Sequence, residues 1–314
     1  MAESPRQFTH FHRAWADYLA DELPANTYLG ERSAVLRIPD LLSLREQADV
    51  LLLDGFGVLN TGFEAVEGMA DQIAQLQRQG VHCLVLSNGA TQPVGPMVQK
   101  YTDLGYHFAP EDLLTSRDAL RVALRRHHAE HPGFLWGVTP TASADHPDLS
   151  ANLRQLHEAA DFEAADGILL LSTLRWSARL DWLLYKQLQT SPKPVWVGNP
   201  DVCAPFPTYV SREPGQVARA LERGLGMKIQ YFGKPHGNIY DVAFARVAQL
   251  TGQIDKSRIV MVGDSPHTDI LGARQAGIKS VLIQDHGLLA GQNLRRRLEE
   301  ARIWPDYVIA KDFS

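Results

Sequence analysis

Residues 49–62 read DVLLLDGFGVLNTG. The apolar run Val50–Leu53 drives into Asp54, and the chain then turns through Gly55, Phe56 and Gly57. Unbroken apolar strands suit a parallel sheet covered on both faces, and the carboxyl ends of such strands carry the sites of open α/β folds. A carboxylate at that end, on a glycine-lined turn, is a candidate for chemistry. Two residues on, where a second carboxylate would complete an acid/base pair, the sequence has Phe56.

The rhythm continues outward from this strand. A helix with Met69, Ile73 and Leu76 on one face stops at Gly80. Strand VHCLVL (81–86), a helix over 94–104 and the segment SRDALRVAL, with Ser116 as its N-cap, come next. The last third repeats the alternation, with strands IQYF (229–232), RIVMV (258–262), SVLIQ (280–284) and YVIA (307–310) and helices at 238–250 and 268–276. The middle, 131–228, opens with turn formers in HPG and VTPTASADHPDLS and has its own strands, GILLLS and PVWVG, and helices, RLDWLLYKQLQ and GQVARALERGL. The pattern predicts a doubly wound parallel-sheet α/β core over 46–130 and 229–314, with an inserted α/β unit over 131–228. Residues 1–45 form a helical extension in which Phe11, Trp15 and Leu19 mark an amphipathic helix at 8–22.

Bulk properties exclude several classes of partner. A formal net charge of −5 over 314 residues argues against nucleic acid or an anionic membrane. The basic clusters at 125–128 and 295–300 sit in helical patterns beside acidic residues and read as solvated faces. No apolar run approaches the roughly 18 residues of a membrane span. The N-terminal stretch lacks the apolar segment of a secretory signal, and Cys83 and Cys203 are far apart, so the expectation is a cytoplasmic protein without disulfides. Trp136, Trp176 and Trp182 read as core of the inserted unit.

Four short signatures fall at predicted strand ends: Asp54 after VLLL, Ser87 and Asn88 after LVL, Lys234 after IQYF, and Asp264 after IVMV, with Asp269 five residues later. Placed on one edge of one sheet, carboxylates from separate strands can share a hard cation such as Mg²⁺. A hydroxyl, an amide and a lysine can hold phosphoryl oxygens, and a carboxylate beside that phosphorus can attack it. No phosphate-binding loop of the nucleoside-triphosphatase type is present.

This motif set resembles the haloacid dehalogenase (HAD) superfamily over residues 46–314, in the NagD-like and 4-nitrophenylphosphatase-like branch with a large inserted α/β cap. GNPD (198–201) and the run PGQVARALERGLGMKIQYFGKP resemble elements of that branch. The resemblance implies a small phosphorylated substrate, Mg²⁺, and a cap that closes over the site. Asp54 would be nucleophile and metal ligand, and Lys234 would pair with it and with the phosphate. Ser87, Asn88 and Gly89 would bind phosphate, and Asn199 and Asp201 would contact substrate from the cap. Asp264 would ligate the metal together with the backbone carbonyl of Phe56, with Asp269 in support. Dimerisation through the cap is a further implication.

In phosphatases of the superfamily the residue at position 56 is a second aspartate serving as general acid and base. DGFGVL resembles a subgroup with an aromatic residue there. General acid/base catalysis is typically worth about 10²–10⁴-fold. The expectation is therefore a slow phosphohydrolase. A phosphate-ligand binding or regulatory protein and a dehalogenase-like hydrolase are the alternatives. His267 and His236 are the candidate replacement proton carriers.

Overall fold

The computed structural model describes residues 8–20, 31, 34–141 and 146–311. A seven-stranded sheet forms the centre, in the order Leu36–Arg37, Tyr307–Ile309, Lys279–Ile283, Ile259–Gly263, Val50–Leu53, His82–Ser87, Leu113–Thr115. Every pair in it is parallel. Val50–Leu53 and Ile259–Gly263 lie side by side in the middle and are buried along their length. Helices cover both faces, and separate clusters of buried apolar residues lie on the two sides. The odd members of the first strand, Leu51 and Leu53, pack in one cluster, while Val50 and Leu52 pack in the other. A strand buried on both faces has no need of polar alternation, which is why this one reads as a continuous apolar run.

A second parallel sheet has five strands, ordered Gln230–Tyr231, Val195–Val197, Gly167–Leu170, Leu135–Val138, Asn152–Gln155. It corrects the sequence reading at one boundary. The strand from IQYF, expected in the core, pairs with Val195–Val197 instead. Lys234 therefore enters the site from the end of the second sheet, and only three of the four signatures end strands of the first.

The N-terminal segment also departs from expectation. Its helix spans Phe11–Leu19, preceded by a strand, Phe8–Thr9, and residues 21–22 of the expected helix lie outside the described residues. The buried stripe is Ala14, Trp15 and Tyr18, whereas Leu19 is exposed. Phe8–Thr9 pairs antiparallel with Val210–Arg212, which pairs in turn with Cys203–Pro205. Leu36–Arg37, within the same stretch of chain, edges the seven-stranded sheet.

Smaller expectations are corrected as well. The helix Ser116–Glu130 is capped by Thr115, whose backbone N–H donates to Asp118 at 3.0 Å, while Ser116 turns inward and donates to the Asn88 carbonyl at 2.8 Å. Trp136 and Trp176 are core, but Trp182 is 59% exposed. Cys83 and Cys203 are free and buried. Among the described residues, no helix is long and apolar enough to cross a membrane.

Candidate active site

The carboxyl ends of the two central strands place Asp54 and Asp264 side by side, because Leu53 and Val262 are register partners. A turn of π-helix, Pro266–Ile270, then returns the chain so that Asp269 joins them. One carboxylate oxygen from each of the three lies within 4.8 Å of the others. Asp269 is fully buried, and one of its oxygens accepts the backbone N–H groups of Asp264 and Ser265 at 3.1 and 3.0 Å. Its other oxygen meets the Lys234 ammonium at 2.8 Å, and the same ammonium lies 2.6 Å from Asp54. Asp264 accepts the Leu288 N–H at 2.6 Å.

Electrostatics set the charge balance of this cluster. Burial, opposed by Lys234 but reinforced by Asp269 and Asp201, raises Asp54 to about 7. Burial also raises Asp264, with Asp269 and Asp54 adding to it. Asp201 is raised to about 7, again by burial first. Lys234 is raised: Asp269, Asp54 and Asp201 together outweigh the downward effect of its burial. Three clustered carboxylates with a fourth nearby and a single ammonium leave an excess of buried negative charge. Hard oxygen donors with such an excess suit a divalent cation that keeps some of its waters.

The remaining predicted residues divide into two groups. Ser87 ends its strand buried beside the cluster, and its Oγ accepts the Gly89 N–H at 3.2 Å. Asp201 and Phe56 line a cavity of about 20 Å³ together with Asp54 and Asp264. The side chain of Asn88, in contrast, is fully used as a brace. Its amide donates to Asp201 at 2.8 Å and to the Lys234 carbonyl at 3.0 Å, and its oxygen accepts the Lys234 N–H at 2.6 Å. Asn199 is likewise a brace: it accepts the Asp201 N–H at 3.0 Å and donates to Glu213 at 3.2 Å. It holds Asp201 in place and does not line the cavity.

Neither histidine lines the cavity beside Asp54. His267 is buried, stacked on Tyr18 at 4.9 Å between ring centroids and edge-on to Trp15 at 5.2 Å. Burial, with Arg219 nearby, lowers it to about 3, so it stays neutral at physiological pH. His236 stacks on Tyr231 at 5.2 Å, outside the cavity lining.

Two site features escaped sequence reading. Tyr18 forms part of the cavity wall, and its hydroxyl accepts the Val202 N–H at 3.2 Å. Its only sequence signal was helical spacing three residues after Trp15, hidden by the apparent Phe11–Trp15–Leu19 stripe. The second is Lys100, whose ammonium lies 4.8 Å from the centroid of the Phe56 ring. Burial lowers it to about 8, with Asp54 pulling the other way.

Comparison with known proteins fits this geometry. Residues 51–144 match the family model described as haloacid dehalogenase-like hydrolase, and residues 231–314 match the HAD-hydrolase-like model. The chain is similar to the acid sugar phosphatase of Staphylococcus haemolyticus, 24% identical over 244 residues, covering 74% of this chain and 84% of the relative. It is 25% identical to the D-glycerol 3-phosphate phosphatase of Mycobacterium tuberculosis over 242 residues, or 77% of this chain, and spans 64% of that protein's length. Among solved structures, a possible sugar phosphatase of the HAD superfamily from Cytophaga hutchinsonii superposes with a TM-score of 0.73 at 22% identity, covering 87% of this chain and 97% of that one. The M. tuberculosis glycerol phosphate phosphatase in complex with magnesium superposes at 0.58 and 22% identity, covering 76% and 68%. The first family model includes Asp54 and the second includes Asp264 and Asp269; the chain belongs to the haloacid dehalogenase-like hydrolases.

Proposed function

We propose that this hydrolase is a Mg²⁺-dependent phosphohydrolase acting on a small phosphorylated metabolite through an aspartyl-phosphate on Asp54. The observation that carries the reading is the single ammonium of Lys234 bridging Asp54 and Asp269 at 2.6 and 2.8 Å, beside Asp264. That arrangement holds Asp54 in position and supplies positive charge for a dianionic phosphoryl group. Asp54, Asp264 and the backbone carbonyl of Phe56 would hold the cation, with Asp269 in support, and the cation would offset phosphoryl charge.

In the first step a carboxylate oxygen of Asp54 bonds to phosphorus, and the bond from phosphorus to the ester oxygen breaks. The Ser87 hydroxyl, the backbone N–H groups of the 55–56 turn and Lys234 steady the phosphoryl oxygens. In the second step a water oxygen bonds to the same phosphorus, the bond from phosphorus to the Asp54 oxygen breaks, and the proton that the water loses passes to solvent. Phe56 has no proton to give and both histidines lie elsewhere, so the departing oxygen takes its proton from water. The enzyme therefore favours esters with good leaving groups. Division of the chain into a core and an inserted cap belongs to this reading, with the cap contributing Asp201 and the Cys203–Pro205 strand to the cavity wall.

The test is Mg²⁺-dependent release of nitrophenol from p-nitrophenyl phosphate by the purified protein and by Asp54→Asn. Loss of at least 10³-fold in the variant is expected, the scale on which removal of a nucleophile acts. Undiminished release would reject the mechanism. Phe56 also favours a second reading, a phosphate-ester binding protein with little turnover; Mg²⁺-dependent binding without multiple turnover would establish it.

A further inference from the structure

Tyr18 reaches the catalytic cavity from the helix Phe11–Leu19, ahead of the residues that either family model matches. Its ring is buried and stacked on His267, with centroids 4.9 Å apart and planes 10° from parallel. The Arg219 guanidinium lies 5.6 Å from the ring centroid. The hydroxyl is therefore held in place. Its oxygen accepts the Val202 N–H at 3.2 Å, and among the described residues no acceptor stands within hydrogen-bond distance of its proton. A tyrosine hydroxyl is a donor as well as an acceptor, and buried donors are ordinarily paired. Burial, with Cys203 and Asp201 adding to it, keeps that proton on the oxygen well above the usual tyrosine range.

The cavity that Tyr18 lines has a volume of about 20 Å³ and is shared with Asp54, Phe56 and Asp264. It has room for one water-sized group. Ser87 and Lys234, which steady the phosphoryl oxygens in the reaction above, do not line it. Ser265 and Thr268 bring hydroxyls to it from the loop that carries Asp264 and Asp269, on the cation's side. Tyr18 brings its hydroxyl from the wall it forms with Asp201 and Cys203–Pro205. In an in-line displacement the departing oxygen lies opposite the attacking one, so attack by Asp54 sends it away from the core carboxylates. We propose that Tyr18 is a catalytic residue that donates a hydrogen bond to the departing ester oxygen. This rests on the phosphohydrolase reading above and adds to it a group from outside the matched core. As the bond from phosphorus to the ester oxygen breaks, negative charge collects on that oxygen, and a fixed donor stabilises it more than it stabilised the ester. The proton stays on Tyr18, and the departing oxygen is protonated by water as before. The hydrogen bond accepted from Val202 polarises the Tyr18 O–H and strengthens it as a donor.

The experiment measures kcat/KM for phenyl phosphate and p-nitrophenyl phosphate with Mg²⁺, in the wild-type protein and in Tyr18→Phe. The two esters match in shape at the reacting end, and nitrophenol leaves with far less need of a donor. Tyr18→Phe should lose about tenfold more on phenyl phosphate than on p-nitrophenyl phosphate, a part of what one transition-state donor supplies. A structural role alone, acting through the Val202 N–H left without its acceptor, lowers both esters alike. Site-specific 3-fluorotyrosine at position 18 keeps the ring and the Val202 bond and makes the hydroxyl a stronger donor. It should raise the ratio of phenyl to nitrophenyl ester turnover about twofold, and it decides the matter if Tyr18→Phe fails to fold. Equal losses in Tyr18→Phe, or an unchanged ratio with 3-fluorotyrosine, overturn this proposal alone so long as Asp54→Asn still abolishes hydrolysis. Hydrolysis that persists in Asp54→Asn overturns the phosphohydrolase reading and this proposal together.

Discussion

Gly57→Ala tests whether the position of Asp264 decides activity. Gly57 has a φ of +79°, and a Cβ there would lie 2.3 Å from Asp264 Oδ2. Two costs follow, and they can be separated. The left-handed backbone costs an alanine about 1–2 kcal/mol, which lowers the melting temperature by about 2–6 °C in a protein of this size. The clash is the larger effect on function. Restoring an ordinary contact requires the Asp264 carboxylate to retreat by about 1 Å, away from its 2.6 Å bond with the Leu288 N–H. A misplacement of about 1 Å in a reacting constellation can cost on the order of 10²-fold. Gly68→Ala is the control, because Gly68 has a φ of +72° but nothing within 4 Å of a Cβ. The assay is Mg²⁺-dependent kcat/KM on p-nitrophenyl phosphate, with melting temperatures beside it. The expected outcome is similar melting shifts in both variants and a loss of about 10²-fold in Gly57→Ala alone. Activity in Gly57→Ala within threefold of Gly68→Ala would refute the reasoning.

Two further predictions come from the same cluster. Phe56→Asp should raise turnover of an alkyl phosphate by about 10²-fold, the lower end of what general acid catalysis supplies, with a much smaller gain on p-nitrophenyl phosphate; equal gains, or none, would mean that leaving-group protonation is not what limits the enzyme. Asp54 and Asp201 are each raised to about 7 in the folded protein, against roughly 4 in an unfolded chain. Between those values the native state binds more protons than the unfolded state, so metal-free stability is highest below about pH 4 with respect to these groups and falls as pH rises toward 7. Thermal unfolding in a chelator should show that fall, and Mg²⁺ should raise the melting temperature more at pH 8 than at pH 5. A larger Mg²⁺ effect at pH 5 would contradict the charge excess.

The central strands and their carboxylates were legible because both are local. Val50–Leu53 is apolar on both faces, Asp54 and Asp264 each follow directly from a strand, and Ser87 ends one. Sheet membership was not local. IQYF has the composition of a core strand, yet Gln230 and Tyr231 find their partners in Trp196 and Val197, and nothing in a short apolar run specifies which edge it joins. Asn88 and Asn199 show a related limit, since a side-chain amide can bind ligand or brace a turn, and only the tertiary partners distinguish the two. Trp182 lies on a helix whose buried residues are Leu180, Leu184 and Leu188, so it faces outward although tryptophans are usually well buried. Lys100 stood on a helix with no nearby signature, and its place against Phe56 arises only when Val94–Asp103 packs beside the first strand's turn.

The helix Phe11–Leu19 is fastened to two other helices, one late in each part of the chain. Trp15 donates to Glu300 at 2.8 Å, on a helix that follows the last signatures. Two residues later Asp17 accepts from Gln216 and Arg223, both at 2.7 Å, on the helix that leads into the lysine loop. A hinge swing of one half away from the other must pull this tether apart at one end or the other. The relative placement of those two helices therefore depends on the short helix Phe11–Leu19 that ties them together.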